Sequence, residues 1–308
     1  MAMTLHTARP TTVPTKTTQM VAVHAIQTGR VRVRAKQIRG EGRGIGRLLR
    51  TFLDDRWSDW LPIYAWLIEL PQGAIVVDTG ETSRTAQPGY LPRWHPYYRR
   101  GVQFDVSPDD EIGRRLETHG LSSADVRTVV MTHLHTDHAG GLHHFPDSDI
   151  LIERQAFAAA SGLLGRVRGF LPHRWPEWLH PTLVDLSPIP FGPFERSLPL
   201  TEAGDVVIVP TPGHTPQHVS VVVQTDEMTY FLAGDASYTE ELMWDGRVDG
   251  IAPSDEQARD TLRRIRRLAE REPVVYLPSH DPEAEHRLAS RQHAGRLGQE
   301  AVNENQGG

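Results

Sequence analysis

The densest group of reactive side chains in the sequence is the run His133-Leu134-His135-Thr136-Asp137-His138, three imidazoles and a carboxylate in six residues. It follows an apolar stretch, Val126–Met131, that reads as a buried strand. Histidines two apart on an extended segment point to the same side, so His133 and His135 can grip a single ion. Asp137 and His138 lie past the bend, where they can face a second. Imidazole and carboxylate donors suit Zn²⁺, and also Fe²⁺, Mn²⁺ or Co²⁺. The competing explanation is a histidine-rich surface loop or a set of satisfied core histidines. It is the weaker one, because adjacent buried imidazoles are costly to desolvate with no ion between them.

Three more apolar strands finish in a ligand-type residue. Thr211-Pro212-Gly213-His214-Thr215-Pro216 sets His214 in a rigid turn, Phe231-Leu232-Ala233-Gly234 ends at Asp235, and Val275-Tyr276-Leu277-Pro278-Ser279 ends at His280. Separate strand ends closing on ligands imply one shared rim of the sheets, and a site belongs there. Other chemistries fall away. The 308 residues include no cysteine, which excludes disulfides, thiolate nucleophiles and Cys-ligated zinc. There is no Gly-x-Ser-x-Gly elbow, and neither lysine, Lys16 or Lys36, sits in a P-loop.

The order HLHTDH, PGHT, GD and a late SH resembles the metallo-β-lactamase superfamily over roughly residues 20 to 290. The resemblance implies an α/β fold, the αββα sandwich of two mixed sheets packed face to face with helices on the outer faces. It also implies one metal on His133, His135 and His214, and a second on Asp137, His138 and His280, with Asp235 bridging. Two divalent ions follow, zinc first and iron, manganese or cobalt as alternatives, activating a bridging hydroxide. Asp78, in Val76-Val77-Asp78-Thr79-Gly80, matches the acidic residue beneath the site and would orient a ligand histidine.

Within that superfamily, the run Asp235-Ala236-Ser237-Tyr238-Thr239 is similar to that of the N-acyl-homoserine lactonases. The similarity makes Tyr238 a catalytic residue beside Asp137 and Asp235, orienting the substrate carbonyl or protonating the leaving alkoxide. The implied substrate is a small ester or lactone. Alternatives on the same ligands are a phosphotriesterase, a glyoxalase II-like thioesterase or a mononuclear-iron persulfide dioxygenase. Gln217 stands where the commoner form of the histidine turn has Gly. His143, His144, His218 and His286 are expected to be supporting or surface residues rather than ligands.

The elements that must position these residues read as follows. Met20–Ile26 and Arg30–Ile38 are expected as two strands around a Thr28-Gly29 turn, and Ile63–Leu70 and Ala74–Val77 as a hairpin over Pro71-Gln72-Gly73. Residues 81–106 read as a long loop, and Ser107-Pro108-Asp109-Asp110-Glu111 as a helix start. Strands are expected at Ile150–Glu153, Val206–Val209, Val219–Val223, Thr229–Leu232 and Val274–Leu277, and a capped helix over Ser254–Arg271. Two irregular aromatic insertions, 39–60 and 162–199, would line an acyl groove or a homodimer interface, or pack under loops. One hydrolase domain over 20–294 is expected, with a disordered extension at 1–19 and a flexible tail at 295–308.

The net charge of −6 argues against nucleic acid as the main partner. Arg32, Arg34 and Lys36 alternate with Val31, Val33 and Ala35, the pattern of one wet strand face. No apolar run reaches membrane-spanning length and no secretory signal is evident, so no membrane partner and a cytoplasmic location are the expectations.

Overall fold

Alternation along the strands decides the layering. In the computed structural model, which describes residues 21–295, the Tyr64, Trp66 and Ile68 side chains enter one buried cluster while Ala65 and Leu67 enter another. Successive strand residues point to opposite faces, so a strand apolar on both sides must be covered on both sides.

Seven strands form the first sheet: β1 (Ala22–Val33), β2 (Leu61–Leu70), β3 (Gly73–Val77), β4 (Val102–Asp105), β5 (Val126–Val130), β6 (Asp149–Glu153) and β7 (Thr182–Val184), in the order β4-β1-β2-β3-β5-β6-β7. Five form the second: β8 (Leu198–Pro199), β9 (Val206–Pro210), β10 (Val219–Gln224), β11 (Thr229–Gly234) and β12 (Val274–Pro278), in the order β12-β11-β10-β9-β8. Both sheets are mixed. β3, β5, β6 and β7 run parallel, as do β11 and β12, and the remaining pairs are antiparallel.

The central core lies between the sheets, where Trp66, Val77 and Val130 meet Val221, Leu232 and Val275. The outer face of the first sheet packs on Ile112, Leu116 and Ala160 of flanking helices. The outer face of the second packs on Leu262, Ile265 and Leu268 of the helix Asp255–Ala269. That helix is capped by the Ser254 hydroxyl, which accepts from Gln257 N. The αββα sandwich is therefore realised.

Several local expectations need correction. Thr28-Gly29 is a bulge inside one continuous strand, not a turn: β1 pairs with β2 from Ala22↔Glu69 to Val31↔Leu61, shifting register between Gln27 and Arg30. Ala35–Ile38 turns into a short helix instead of extending the strand. The loop 81–106 carries a helix, Pro96–Arg100, and the edge strand β4. At Ser107 the chain makes a single 3₁₀ turn, with Ser107 N and Oγ both on Asp110 Oδ2, before a separate helix over Ile112–Glu117. Gly162–Val167 is helical within the second insertion.

The arginines of β1, and Arg34 just after it, are occupied by internal partners. Arg34 lies 4.0 Å from the Trp57 ring centre and Arg32 4.8 Å from that of Trp60, while Arg30 pairs with Asp105. Among the described residues no helix is long and apolar enough to cross a membrane. The expected extension at 1–19 and all of the expected tail beyond Gly295 lie outside the described residues.

Candidate metal centre

Five strands deliver side chains to one rim. β3 ends at Asp78, β5 leads into His133 and His135, β9 into His214, β11 into Asp235 and β12 into His280. Asp137 and His138 sit on the short helix Thr136–Ala139 that follows the β5 bend. Gly234 takes φ +54°, and a Cβ there would lie 2.7 Å from His218 Nε2, so only glycine lets β11 turn at this point.

The seven expected ligands come together. His135 Nδ1 lies 3.0 Å from His133 Nε2 and 2.9 Å from His214 Nε2. Asp235 reaches three imidazoles, with Oδ1 at 3.3 Å from His138 Nε2 and 3.4 Å from His280 Nε2, and Oδ2 at 3.4 Å from His214 Nε2. Asp137 Oδ2 lies 3.5 Å from His280 Nε2. Three ligand sets have all their donor atoms within 4.8 Å of one another: His133/His135/His214, His133/His138/Asp235 and Asp137/His138/His280.

Second partners fix which nitrogen faces inward. His138 Nδ1 meets Asp78 Oδ2 at 2.8 Å, His214 Nδ1 meets Asp249 Oδ2 at 3.0 Å, and His280 Nδ1 meets Pro62 O at 2.8 Å. Each acceptor takes an Nδ1 proton, which leaves Nε2 as a lone pair aimed at the centre. Thr132 Oγ1 donates to Asp78 Oδ2 and so receives the Nδ1 proton of His133 at 3.1 Å. His135 alone turns Nδ1 inward, its ring stacked on Phe170 with centroids 5.1 Å apart.

Convergent lone pairs need a cation. His138 Nε2 and Asp235 Oδ1 are fully buried and, although 3.3 Å apart, make no hydrogen bond of good geometry to each other or to any other group. Burial, reinforced by the neighbouring imidazoles, holds His133 and His135 well below the usual histidine range. Burial also works against protonating His138, but the Asp235 and Asp78 carboxylates outweigh it and raise that imidazole, so without a metal a proton takes the Nε2 position that a cation would claim. Asp235 is held well below the carboxylate range, because His280, His138 and His214 overcome its burial. Buried nitrogen and oxygen donors, tautomers set by partners and orphaned inward atoms fit divalent metal binding.

Asp78 is the joint of this assembly. It is fully buried, takes φ +61° and accepts from Thr132 N as well as Thr132 Oγ1, both at 2.8 Å. A non-glycine residue in the left-handed region costs energy, and such strain gathers at functional sites.

Tyr238 is buried over the rim, its ring stacked on His280 with centroids 5.7 Å apart. Gln37 Nε2 donates to the hydroxyls of both Tyr238, at 2.9 Å, and Tyr97, at 3.0 Å. Burial, then Tyr97 and nearby carboxylates, raises the Tyr238 phenol well above its ordinary value, so it stays protonated. A narrow cavity above the ligands is walled by Val31, Val33, Gln37, Tyr97, Tyr98, Phe104 and Tyr238. A larger depression opens at the opposite rim, where β3, β5 and β6 begin, beside Gln72, Arg127 and Glu202, and none of the ligand clusters lies there.

The aromatic insertion 39–60 does not reach the metal-facing cavity. Ile45, Leu49 and Leu53 point to solvent, and Trp57 and Trp60 stack on the β1 arginines. His218 behaves as a supporting residue: pushed down to about 3, chiefly by burial, it accepts from Asp235 N at 3.0 Å through Nε2. His286 is exposed. Asp249 and Gln37 carried no sequence signal, since each earns its place through a contact with a distant residue.

Comparison with known proteins places the chain in a family. The metallo-beta-lactamase superfamily profile matches residues 58–280. A probable metallo-hydrolase of Mycobacterium tuberculosis is 30% identical over 237 residues, 70% of this chain and 74% of that protein. An N-acyl homoserine lactonase of Bacillus thuringiensis is 27% identical over 234 residues, 73% of this chain and 83% of its own length. Among solved structures, a B. thuringiensis AiiA variant with N-decanoyl-L-homoserine bound at its active site superposes with a TM-score of 0.67 at 22% identity, covering 86% of this chain and 94% of that one.

Proposed function

The chain belongs to the metallo-β-lactamase superfamily, and from that premise we propose that this metal-dependent hydrolase opens the ring of N-acyl-homoserine lactones. The observation that carries the lactone reading is Tyr238, a protonated phenol fixed over the ligand rim by Gln37 and stacked on His280. Its support outside the chain is the likeness to a Bacillus N-acyl homoserine lactonase over 73% of the sequence.

In this reading His133, His135 and His214 would hold one ion and Asp137, His138 and His280 the other, with Asp235 placed to serve both. Zinc is the first choice for such a donor set. Two divalent ions in these positions would lower the pKa of a water molecule toward neutrality and polarise the lactone carbonyl. Asp78 and Asp249 keep His138 and His214 turned inward and raise their basicity as ligands. The Tyr238 oxygen already accepts from Gln37, so its own proton is free for the carbonyl or for the alkoxide that leaves when the ring opens. Val31, Val33 and Phe104 give the cavity an apolar wall beside that proton, suited to an acyl chain.

The test is hydrolysis by zinc-loaded protein of acyl-homoserine lactones, simple lactones, a paraoxon-type triester and a glutathione thioester. Ring opening of the acyl-homoserine lactones should dominate; activity confined to the thioester or the triester would sink the proposal. Tyr238→Phe should slow lactone turnover about 100-fold while leaving metal content intact. A variant that lost its metals would show that Tyr238 acts on the site's structure instead.

A further inference from the structure

Apart from the ligand rim, one other group of metal-ligating side chains converges among the described residues. Glu111, His143 and His144 have their donor atoms within 4.8 Å of one another. His144 Nε2 lies 2.7 Å and His143 Nε2 3.2 Å from the same oxygen, Glu111 Oε2. The two rings stand side by side, centroids 4.1 Å apart and 36° between planes. We propose that Glu111, His143 and His144 hold a further divalent ion of the zinc class, separate from the centre at the strand ends.

Four observations support it. First, His143 Nδ1 lies 3.1 Å from Gly140 O and gives its proton there, so a neutral ring turns the Nε2 lone pair toward the Glu111 carboxylate. Burial and then His144 hold His143 below the usual range, which favours that neutral ring. A lone pair facing an anion at 3.2 Å is repulsive unless a cation lies between them.

Second, Glu111 has one oxygen committed and one on offer. Oε1 accepts from Thr82 Oγ1, Ser83 N and Ser83 Oγ at 3.1, 2.9 and 2.5 Å. Oε2 has only the two imidazoles. Burial pushes this carboxyl up, but the bonds from Ser83 and His144 more than reverse that and hold it at about 2, so it is an anion at neutral pH.

Third, the spacing suits coordination. Tetrahedral zinc with bonds of about 2.0–2.1 Å sets ligand-to-ligand edges of roughly 3.3–3.4 Å. The distances of 2.7 and 3.2 Å reach that with a small side-chain adjustment. In the metal-free cluster His144 Nε2 donates to Glu111 Oε2; an ion there would bind the other neutral tautomer, with that proton moved to Nδ1. The imidazoles are 25% and 24% exposed, which leaves an entry path and room for water on the remaining coordination positions.

Fourth, the backbone makes room for the second ring. A Cβ on Gly113 would lie 2.6 Å from His144 Nδ1, so the ring can approach Glu111 only because residue 113 has no side chain. An ion here would staple the turn Gly140–His144, next after the His133–His138 run, to Glu111 and through it to Ser83.

Equilibrium dialysis of the chelator-stripped full chain against Zn²⁺, followed by metal quantification, tests the proposal. Wild-type protein should retain one ion more per chain than either His144→Ala or Gly113→Ala. Gly113→Ala removes no ligand and suits the helix, but its Cβ crowds the His144 ring, so a thermal melt of each variant beside the metal count separates loss of the ion from loss of the fold. Equal metal content in wild type and both variants would overturn the site. Loss of every ion in the variants would overturn it too, because the histidines would then be props of the main centre. The readout is a difference of one ion, so it stands or falls separately from the count at the strand ends and from lactone turnover.

Discussion

Two layers face each other across the cavity. The ligand rim stands on the ends of β3, β5, β9, β11 and β12, and nearly every polar atom in it answers to a second partner. The roof is drawn from Ala35–Ile38, Pro96–Arg100, β4 and Tyr238, short segments joined by apolar contacts and by one amide, that of Gln37. The rim is held by charge and fixed tautomers, so damage to it should appear as lost metal. The roof is held by packing and neutral hydrogen bonds, so damage there should appear as altered turnover or stability with the metals in place. One fold thus separates assembling a reagent from presenting a substrate to it.

Substitutions can break or sharpen that division. Asp235→Ala strikes three imidazoles at once and should cost at least one ion and about 100-fold or more in hydrolysis, read by metal analysis beside a lactone assay. If that variant kept a full metal complement, the rim would not be the charge-held layer described. Asp249→Asn touches no proposed ligand position but removes the carboxylate behind His214, and zinc affinity should fall about 10- to 100-fold in a chelator competition.

On the roof side, Asp54 anchors Ala35–Ile38 by accepting from Lys36 N at 2.9 Å. Its carboxyl lies below the ordinary range, since bonds from Lys36 and Arg56 outweigh its burial. A depressed folded-state value stabilises the fold above the unfolded-state pKa, near 4. That contribution disappears as pH falls through the folded value. Asp54→Asn should therefore lower Tm by about 2–4 °C at pH 7, with the gap to wild type closing below about pH 4. An undiminished gap in acid would mean that packing, not charge, anchors the segment.

The smallest effect belongs to Leu49→Ser. Leu49 is 55% exposed and absent from the cavity wall, so kcat/KM for short- and long-chain lactones should stay within about twofold. A loss confined to long acyl chains would extend the roof to the insertion 39–60.

The rim was legible in the sequence because its chemistry is written locally. His133–His138 is contiguous, and His214, Asp235 and His280 each close an apolar strand, a pattern that survives without coordinates. Asp249 was not legible: it lies in a loop, and its value comes from a contact 35 residues away. Gln37 serves a tyrosine 201 residues distant, a relation no periodicity encodes. The fold failed to read where local and tertiary preferences disagree. Thr28-Gly29 has turn chemistry, yet pairing with β2 on both sides of it keeps the strand whole. The helices Glu240–Asp245 and Ala284–Ser290 are too short to show a period.

Asp78 carries two demands that no single substitution satisfies well. Its backbone at φ +61° is tolerated best by glycine, asparagine and aspartate, while His138 and Thr132 require a short carboxylate. Asparagine keeps the backbone and loses the charge; glutamate keeps the charge and loses both the reach and the backbone preference. The alphabet open to this position therefore shrinks to one letter. A lineage that drifts elsewhere on the rim, even exchanging one metal for another, would be expected to carry this aspartate along unchanged.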